Sequence, residues 1–299
     1  SPSEADANGD FYDDISIEEI DDDLEPHART ESFVADTGAD EDHPTMTTDA
    51  FLVAASAQSD QGRRRKNNED SCLLMKNEGI FFVADGMGGY EGGEIASQLA
   101  VDTIEAAFKE KDFTAKVHAD VPPRPTELAQ AMQAANLAIW EVATDDPKLR
   151  GMGTTLVGAR FALRKNRVYI GHVGDSRCYR FRGGVFRRLT VDHTLEALGH
   201  KGPRAKHLFR AVGIGSEMDI DIITAVPKLG DIYLFCSDGL TKMVSDDGVR
   251  SILVEHEADL DVACEQLVAA ANEAGGKDNT TVVIVAVRSI EDALAEPSA

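Results

Sequence analysis

The sequence predicts an α+β fold in which two β-sheets pack on each other with helices on the outside. Three observations carry this prediction. Apolar, strand-like segments recur through residues 51–287, most of them joined by short turns. The helical segments fall into two separate pairs. The chain has 299 residues, 42% hydrophobic and 28% charged, enough to bury a core of that size.

The elements follow in order. Residues 51–58 read as a strand, followed by a polar, basic loop to Asp70. Residues 71–76 and 80–84 read as a hairpin around Asn77, Glu78 and Gly79. A glycine-rich loop, 86–93, leads into an alanine-rich helix over 94–109, and a proline-rich linker at 121–125 precedes a second helix over 126–144. Strands are predicted at 154–163, 168–173, 178–182 and 186–190, then a variable stretch to about Asp219, then strands at 220–226 and 232–236. Helices over 246–255 and 260–273 precede a last strand, 280–287. Trp140, with Leu137 and Val142 nearby, is expected in the core.

Charge divides the chain. It holds 30 Lys+Arg against 53 Asp+Glu, a net charge of -23. Residues 1–50 contain 17 acids and the single base Arg29, so the body is only mildly acidic. Residues 1–49 are predicted to be a disordered acidic tail, because a segment with few large apolar groups cannot offset its ordering entropy. Within it, 11–24 could fold as a short helix on a partner. Residues 50–289 form the predicted domain and 290–299 a short C-terminal tail. No basic face suits nucleic acid, and no apolar run approaches the ~20 residues of a membrane span. Four widely spaced cysteines without a CxxC pair, and no secretory signal, predict reduced thiols in a cytoplasmic protein.

Several familiar chemistries fail on spacing. A dinucleotide loop from Gly86 would need glycine where Glu91 stands, and no phosphate-loop lysine motif occurs. A serine-hydrolase elbow from Gly174 would need glycine at Cys178. The His256–Glu257 pair lacks a second histidine at Leu260. A haloacid-dehalogenase-type phosphatase would need an aspartate at Met87. What remains is a set of acids beside apolar strands: Glu69 and Asp70 before one, Asp85 and Gly86 after another, Asp175 and Asp238 after two more, and Asp278 before the last. Singly, each reads as an ordinary turn. If these strand ends share one edge of the core, four or five carboxylates meet in a small volume. Like charges that close cannot all stay ionised alone, and all-oxygen ligands suit Mg2+ or Mn2+ rather than zinc.

These residues stand in motifs that resemble the metal-dependent (type 2C, PPM) Ser/Thr protein phosphatases, bacterial-type members in particular. The opening motif is Ser59 to Gly62, then Arg65, then Asn68, Glu69 and Asp70. Five more follow in the family's order: 83–89, 153–155, 173–177, 236–240 and 277–281. The resemblance covers about residues 50–289. It implies a four-layer α-β-β-α sandwich, two packed, mostly antiparallel sheets flanked by helix pairs, with a dinuclear metal centre at one edge. It also implies hydrolysis of phosphoserine and phosphothreonine by direct attack of a metal-bridging hydroxide, with no phosphoenzyme. By motif, Asp85 would bridge two Mn2+ or Mg2+ ions and the Gly86 carbonyl would bind one of them. Asp238 and Asp278 would complete the second, and Asp175 with Asp238 would hold a third. Glu69 and Asp70 would touch metal-bound waters, Arg65 would bind the substrate phosphate, and Asn279 would position its neighbouring aspartate. The implied partners are phosphorylated proteins and a cognate Ser/Thr kinase, and the protein is expected to be a monomer.

Two departures stand out. Met87 replaces a histidine that some relatives offer as general acid. The flap between His193 and Asp219 is compact and basic, with His200, Lys201, Arg204, Lys206, His207 and Arg210, read equally as a solvated loop or as a rim for acidic phosphopeptides. His193 is expected to make a structural hydrogen bond. A phosphatase dedicated to one regulatory protein, of the anti-sigma-factor-antagonist type, is the alternative function. A non-catalytic scaffold is a weaker one, because Asp85, Asp175, Asp238 and Asp278 are all present.

Overall fold

The computed structural model describes residues 33–35, 51–89, 91–110, 113 and 123–289, with the backbone alone for 33–35 and Pro123. Twelve strands and five α-helices are described: β1 (Phe33–Ala35), β2 (Phe51–Asp60), β3 (Asp70–Met75), β4 (Ile80–Met87), α1 (Gly92–Glu110), α2 (Pro123–Asp145), β5 (Gly153–Thr154), β6 (Leu156–Ala162), β7 (Arg167–Val173), β8 (Arg177–Arg182), β9 (Val185–Arg188), β10 (Asp221–Ala225), β11 (Ile232–Cys236), α3 (Asp238–Thr241), α4 (Asp246–Glu255), α5 (Leu260–Glu273) and β12 (Thr280–Ser289). One sheet runs β1-β10-β7-β6-β4-β3, with β5 attached to β4, and the other runs β2-β12-β11-β8-β9. Every pairing is antiparallel except β1 with β10.

The central strands are apolar on both faces because both faces are covered. Successive strand side chains point to opposite sides. On β4, Ile80, Phe82 and Ala84 enter a core shared with α1 and α2, whereas Phe81 and Val83 enter the core between the sheets. On β11, Tyr233 and Phe235 face that middle core, whereas Ile232, Leu234 and Cys236 face α4 and α5. β12 repeats the alternation, with Val283, Val285 and Val287 inward and Val282, Ile284 and Ala286 toward the helices. Three apolar cores therefore separate four layers, which is the predicted sandwich. T-shaped contacts of Phe161 with Phe81 and Tyr233 fill the middle core.

Four details differ from the sequence expectations. The second helix begins at Pro123, inside the predicted linker, since a first helical turn has no amide partners for proline to remove. The predicted strand 154–163 is interrupted at Thr155, which stays in register opposite Asp85: its amide donates to the Asp85 carbonyl at 2.8 Å, but the Asp85 amide returns to Thr155 Oγ1 instead of to the Thr155 carbonyl. Trp140 is only half-buried, and Ile139 takes the core position beside it. Within 1–49, Phe33–Ala35 pairs with β10 as a short parallel strand; the rest of that segment, including the helix expected at 11–24, and residues 290–299 lie outside the described residues. All four cysteines are free, and Cys178, Cys236 and Cys264 are buried. Among the described residues, no helix is long and apolar enough to cross a membrane.

Candidate active site

The acids singled out in the sequence converge at one end of the paired sheets. Asp70 opens β3 and lies directly across from Asp85 on β4 in the strand register. Asp175 follows β7, Asp238 begins α3 with only Ser237 between it and β11, and Asp278 stands two residues before β12. Asp85 feels the charges of Asp70, Asp238, Asp175 and Asp278, so the cluster is electrostatically one unit.

Backbone and hydroxyl bonds hold the cluster. The Gly86 amide donates to the Glu69 carbonyl at 3.0 Å. A side chain at Gly86 is impossible, since its Cβ would lie 2.1 Å from the Gly93 carbonyl oxygen and 2.5 Å from that of Glu69. The Asp85 amide donates to Thr155 Oγ1 at 3.2 Å, and Thr155 Oγ1 in turn bonds Ser176 Oγ at 2.6 Å. Ser237 Oγ donates to Asp70 Oδ2 at 2.8 Å. Asn279 does not reach across to Asp278 as expected. Its Oδ1 accepts the Glu69 amide at 2.9 Å, and its Nδ2 donates to the Gln61 and Asn67 carbonyls, each at 2.8 Å. It therefore shapes the loop that carries Arg65 and Glu69, while its own backbone amide donates to Asp278 Oδ1 at 3.0 Å.

Among the described residues, two cations face the cluster. Arg65 is bidentate on Asp278, Nε to Oδ1 at 2.8 Å and Nη2 to Oδ2 at 3.0 Å, with Glu69 Oε2 at 3.6 Å from Nη1. Lys242, one turn into the α3 segment from Asp238, bonds Asp238 Oδ2 and lies 3.6 Å from Asp278 Oδ2. Lys242 escaped the sequence reading, although an acid and a lysine four residues apart is a readable helix signal.

Withdrawal from water raises the Asp70 carboxyl to about 7, with Asp238 and Asp278 adding to the effect and Ser237 opposing it. Burial and Asp238 likewise raise Asp175 to about 7, and burial raises Asp238 and Glu69. Burial, then Asp70, Asp238, Asp175 and Asp278, lift Asp85 well above the carboxylate range. Burial works against the Lys242 charge, but Asp238 and Asp278 outweigh it and raise its pKa.

Six acids, Glu69, Asp70, Asp85, Asp175, Asp238 and Asp278, against Arg65 and Lys242 leave the group short of positive charge. Asp70 Oδ1 and Asp238 Oδ1 are buried with no hydrogen-bond partner. An orphaned buried carboxylate oxygen costs ~1–3 kcal/mol or more, and a hard divalent cation is the partner that all-oxygen donors suit. The residues fit such ions.

Comparison with known proteins agrees with fold and site. The protein phosphatase 2C family profile matches residues 59–278. The serine/threonine phosphatase stp of Listeria monocytogenes is 36% identical over 247 residues, which span 77% of this chain and 94% of that protein. The crystal structure of the Mycobacterium tuberculosis serine/threonine phosphatase PstP superposes with a TM-score of 0.69 at 33% identity, covering 79% of this chain and 99% of that one. The PstP catalytic domain in complex with two manganese ions gives a TM-score of 0.67 at 35% identity, covering 80% and 99%. A paired-sheet fold with this family's motifs defines a protein phosphatase. The chain belongs to the protein phosphatase 2C (PPM) family and is a serine/threonine protein phosphatase.

Proposed function

We propose that this enzyme hydrolyses phosphoserine and phosphothreonine by direct attack of water at a divalent-cation centre, and that it opposes a Ser/Thr kinase. The carrying observation is the cluster of Asp70, Asp85, Asp175, Asp238 and Asp278, with two orphaned oxygens and Arg65 at its mouth. Asp85, the Gly86 carbonyl, Asp238 and Asp278 would hold two Mn2+ or Mg2+ ions, and Asp175 with Asp238 a third, while Glu69 and Asp70 would order the waters around them. When bound, the ions supply an acidified water and offset phosphoryl charge.

The chain's own groups do the rest. Arg65 presents a planar two-donor fork, which matches two phosphoryl oxygens as well as it matches the two oxygens of Asp278. Neighbouring nucleophiles are ill suited to form a phosphoenzyme. Burial pushes the Cys236 thiol up to about 12, and Ser237 Oγ is committed to Asp70. Met87 cannot donate a proton, so the proton for the leaving alkoxide comes from water. Five basic residues of the flap, His200, Lys201, Arg204, Lys206 and His207, are exposed and offer charge to acidic phosphopeptides, whereas Arg210 is paired with Asp221.

The test is hydrolysis of phosphoserine and phosphothreonine peptides with Mn2+ and with EDTA. Turnover that needs the cation, with no radiolabelled phosphate retained on acid-quenched protein, is expected. Inactivity with every divalent cation, or a trapped phosphoenzyme, overturns the proposal.

A further inference from the structure

Away from the carboxylate cluster, His172, His193 and Asp221 place one potential ligand atom each within 4.8 Å of one another. His172 and Asp221 are cross-strand partners on β7 and β10. The His172 ring is fully buried, lies 4.6 Å from that of His193, and has no partner on either nitrogen. A metal ion is an obvious occupant, but the bonding of His193 argues against one. Its Nδ1 accepts the Gly174 amide at 3.1 Å, so its proton sits on Nε2, which faces Asp221 Oδ2 at 3.1 Å. A cation on Nε2 would require that nitrogen bare while Nδ1 still meets a donor.

The same contacts give His193 another task. It takes both backbone polar groups of Gly174: Nδ1 accepts the amide, and the His193 amide donates to the Gly174 carbonyl at 2.8 Å. Gly174 needs this hold. Its φ is +106°, and a Cβ there would lie 2.7 Å from Thr155. The next residue is Asp175. On the far side of Asp175, Arg177 is gripped bidentately by Asp192, at 3.0 and 2.7 Å. Two consecutive residues, Asp192 and His193, therefore pin the Asp175 turn at both ends. His193 is also where the flap attaches. Its carbonyl accepts the Phe209 amide at 3.0 Å, and the Asp221 carboxylate that receives Nε2–H also receives Arg210 Nη1 at 2.9 Å.

We propose that His193 is a positioning residue for Asp175, and that through Asp221 and Arg210 it couples the flap to the cation held at Asp175. The inference rests on the proposed role of Asp175 as a cation ligand. A ligand carboxylate bonds well only if its backbone is fixed, so loosening the turn weakens one cation and leaves those at Asp85 alone. Coupling is reciprocal: whatever moves Arg210 changes cation affinity, and the cation changes the flap.

The experiment is calorimetric titration of Mn2+ into the full chain, with thermal unfolding and turnover measured in parallel. Asp175→Asn should remove the weakest class of Mn2+. His193→Ala should weaken that class about tenfold and leave the tighter classes in place. His193→Asn should recover most of the loss, because its Oδ1 can stand where Nδ1 accepts the Gly174 amide, whereas His193→Gln should not. Arg210→Met should weaken the same class by about fivefold. If Asp175→Asn removes a class but His193→Ala does not touch it, the positioning role is wrong. If His193→Ala and His193→Asn alike lose every class together with thermal stability, His193 is general scaffold and the proposal falls. If Arg210→Met leaves the isotherm unchanged, the coupling to the flap falls. If Asp175→Asn removes no class, the cation assignment fails and takes this inference with it.

Discussion

The guanidinium of Arg65 lies flat against the carboxylate of Asp278, with two parallel contacts at 2.8 and 3.0 Å. This is the geometry in which arginine holds two phosphoryl oxygens, and a flexible ammonium cannot copy it. The fork is therefore built and aimed at the cluster before substrate arrives. Arg63 and Arg64, beside it, are exposed and bond no acid of the cluster among the described residues. Arg65→Ala should lower kcat/KM on a small aryl phosphate by about one to two decades, the value of a lost charge-assisted bond. Arg63→Ala and Arg64→Ala should do far less. Equal losses in all three would mean a diffuse steering patch instead of a clamp.

The cluster predicts an unusual pH dependence for the cation-free protein. Asp70 and Asp175 lie at about 7 in the fold, against about 3.9 for a free aspartate. Below about pH 4 both states carry the protons, and stability is unaffected. Between about 4 and 7 the unfolded chain has released them and the fold has not, so stability falls as pH rises, and the full penalty stands above 7. In EDTA, Tm should drop on the order of 5–10 °C from about pH 5.5 to about pH 8. Saturating Mn2+ should flatten or reverse that slope, because cations bind the ionised carboxylates. A Tm in EDTA that climbs over this window contradicts the cluster's electrostatics.

Lys242 sets an opposing electrostatic effect. Its ammonium bonds Asp238 and stands 3.6 Å from Asp278, where a cation would sit. Removing one positive charge at that range, with the screening of a half-exposed side chain, is worth ~1 kcal/mol. Lys242→Met should tighten Mn2+ binding roughly fivefold by calorimetry, and raise KM for a phosphorylated substrate because phosphate loses a cation. Unchanged or weaker Mn2+ binding would show that Lys242 leaves the carboxylates undisturbed.

Much of this was legible in the sequence for a physical reason. Strands buried on both faces are long apolar runs, so β4, β7, β11 and β12 read directly; Asp175, Asp238 and Asp278 flank strand ends, whereas Asp85 lies within β4, which runs past the predicted 80–84 to Met87. What escaped depends on contacts between distant segments. The break at Thr155 exists because the amide of Asp85, 70 positions away, bonds the Thr155 hydroxyl instead of its carbonyl. Asn279 organises a loop more than 200 positions upstream rather than its neighbour. Arg210 looks like one more basic rim residue until Asp221 folds against it. The pairing of Lys242 with Asp238, four residues earlier, is by contrast a local signal.

The last prediction concerns Asp238, the acid placed between the proposed cation sites. One of its oxygens is buried without a partner, and the other meets Lys242. Asp238→Asn keeps the shape and removes the charge. The fold should survive, because the lost pair with a half-exposed lysine is worth ~0–1 kcal/mol, and the remaining acids lose a repelling neighbour. Far-UV circular dichroism and Tm in EDTA should match the wild type to within a few degrees. Turnover should not survive. If Asp238 serves both proposed cation sites, losing its negative charge removes several kcal/mol of transition-state stabilisation, so kcat should fall by about three decades or more. Mn2+ stoichiometry by calorimetry should fall with it. Near-normal Mn2+-dependent turnover by a folded Asp238→Asn would remove Asp238 from the catalytic centre, and with it the assignment of α3 as the element that presents a cation ligand.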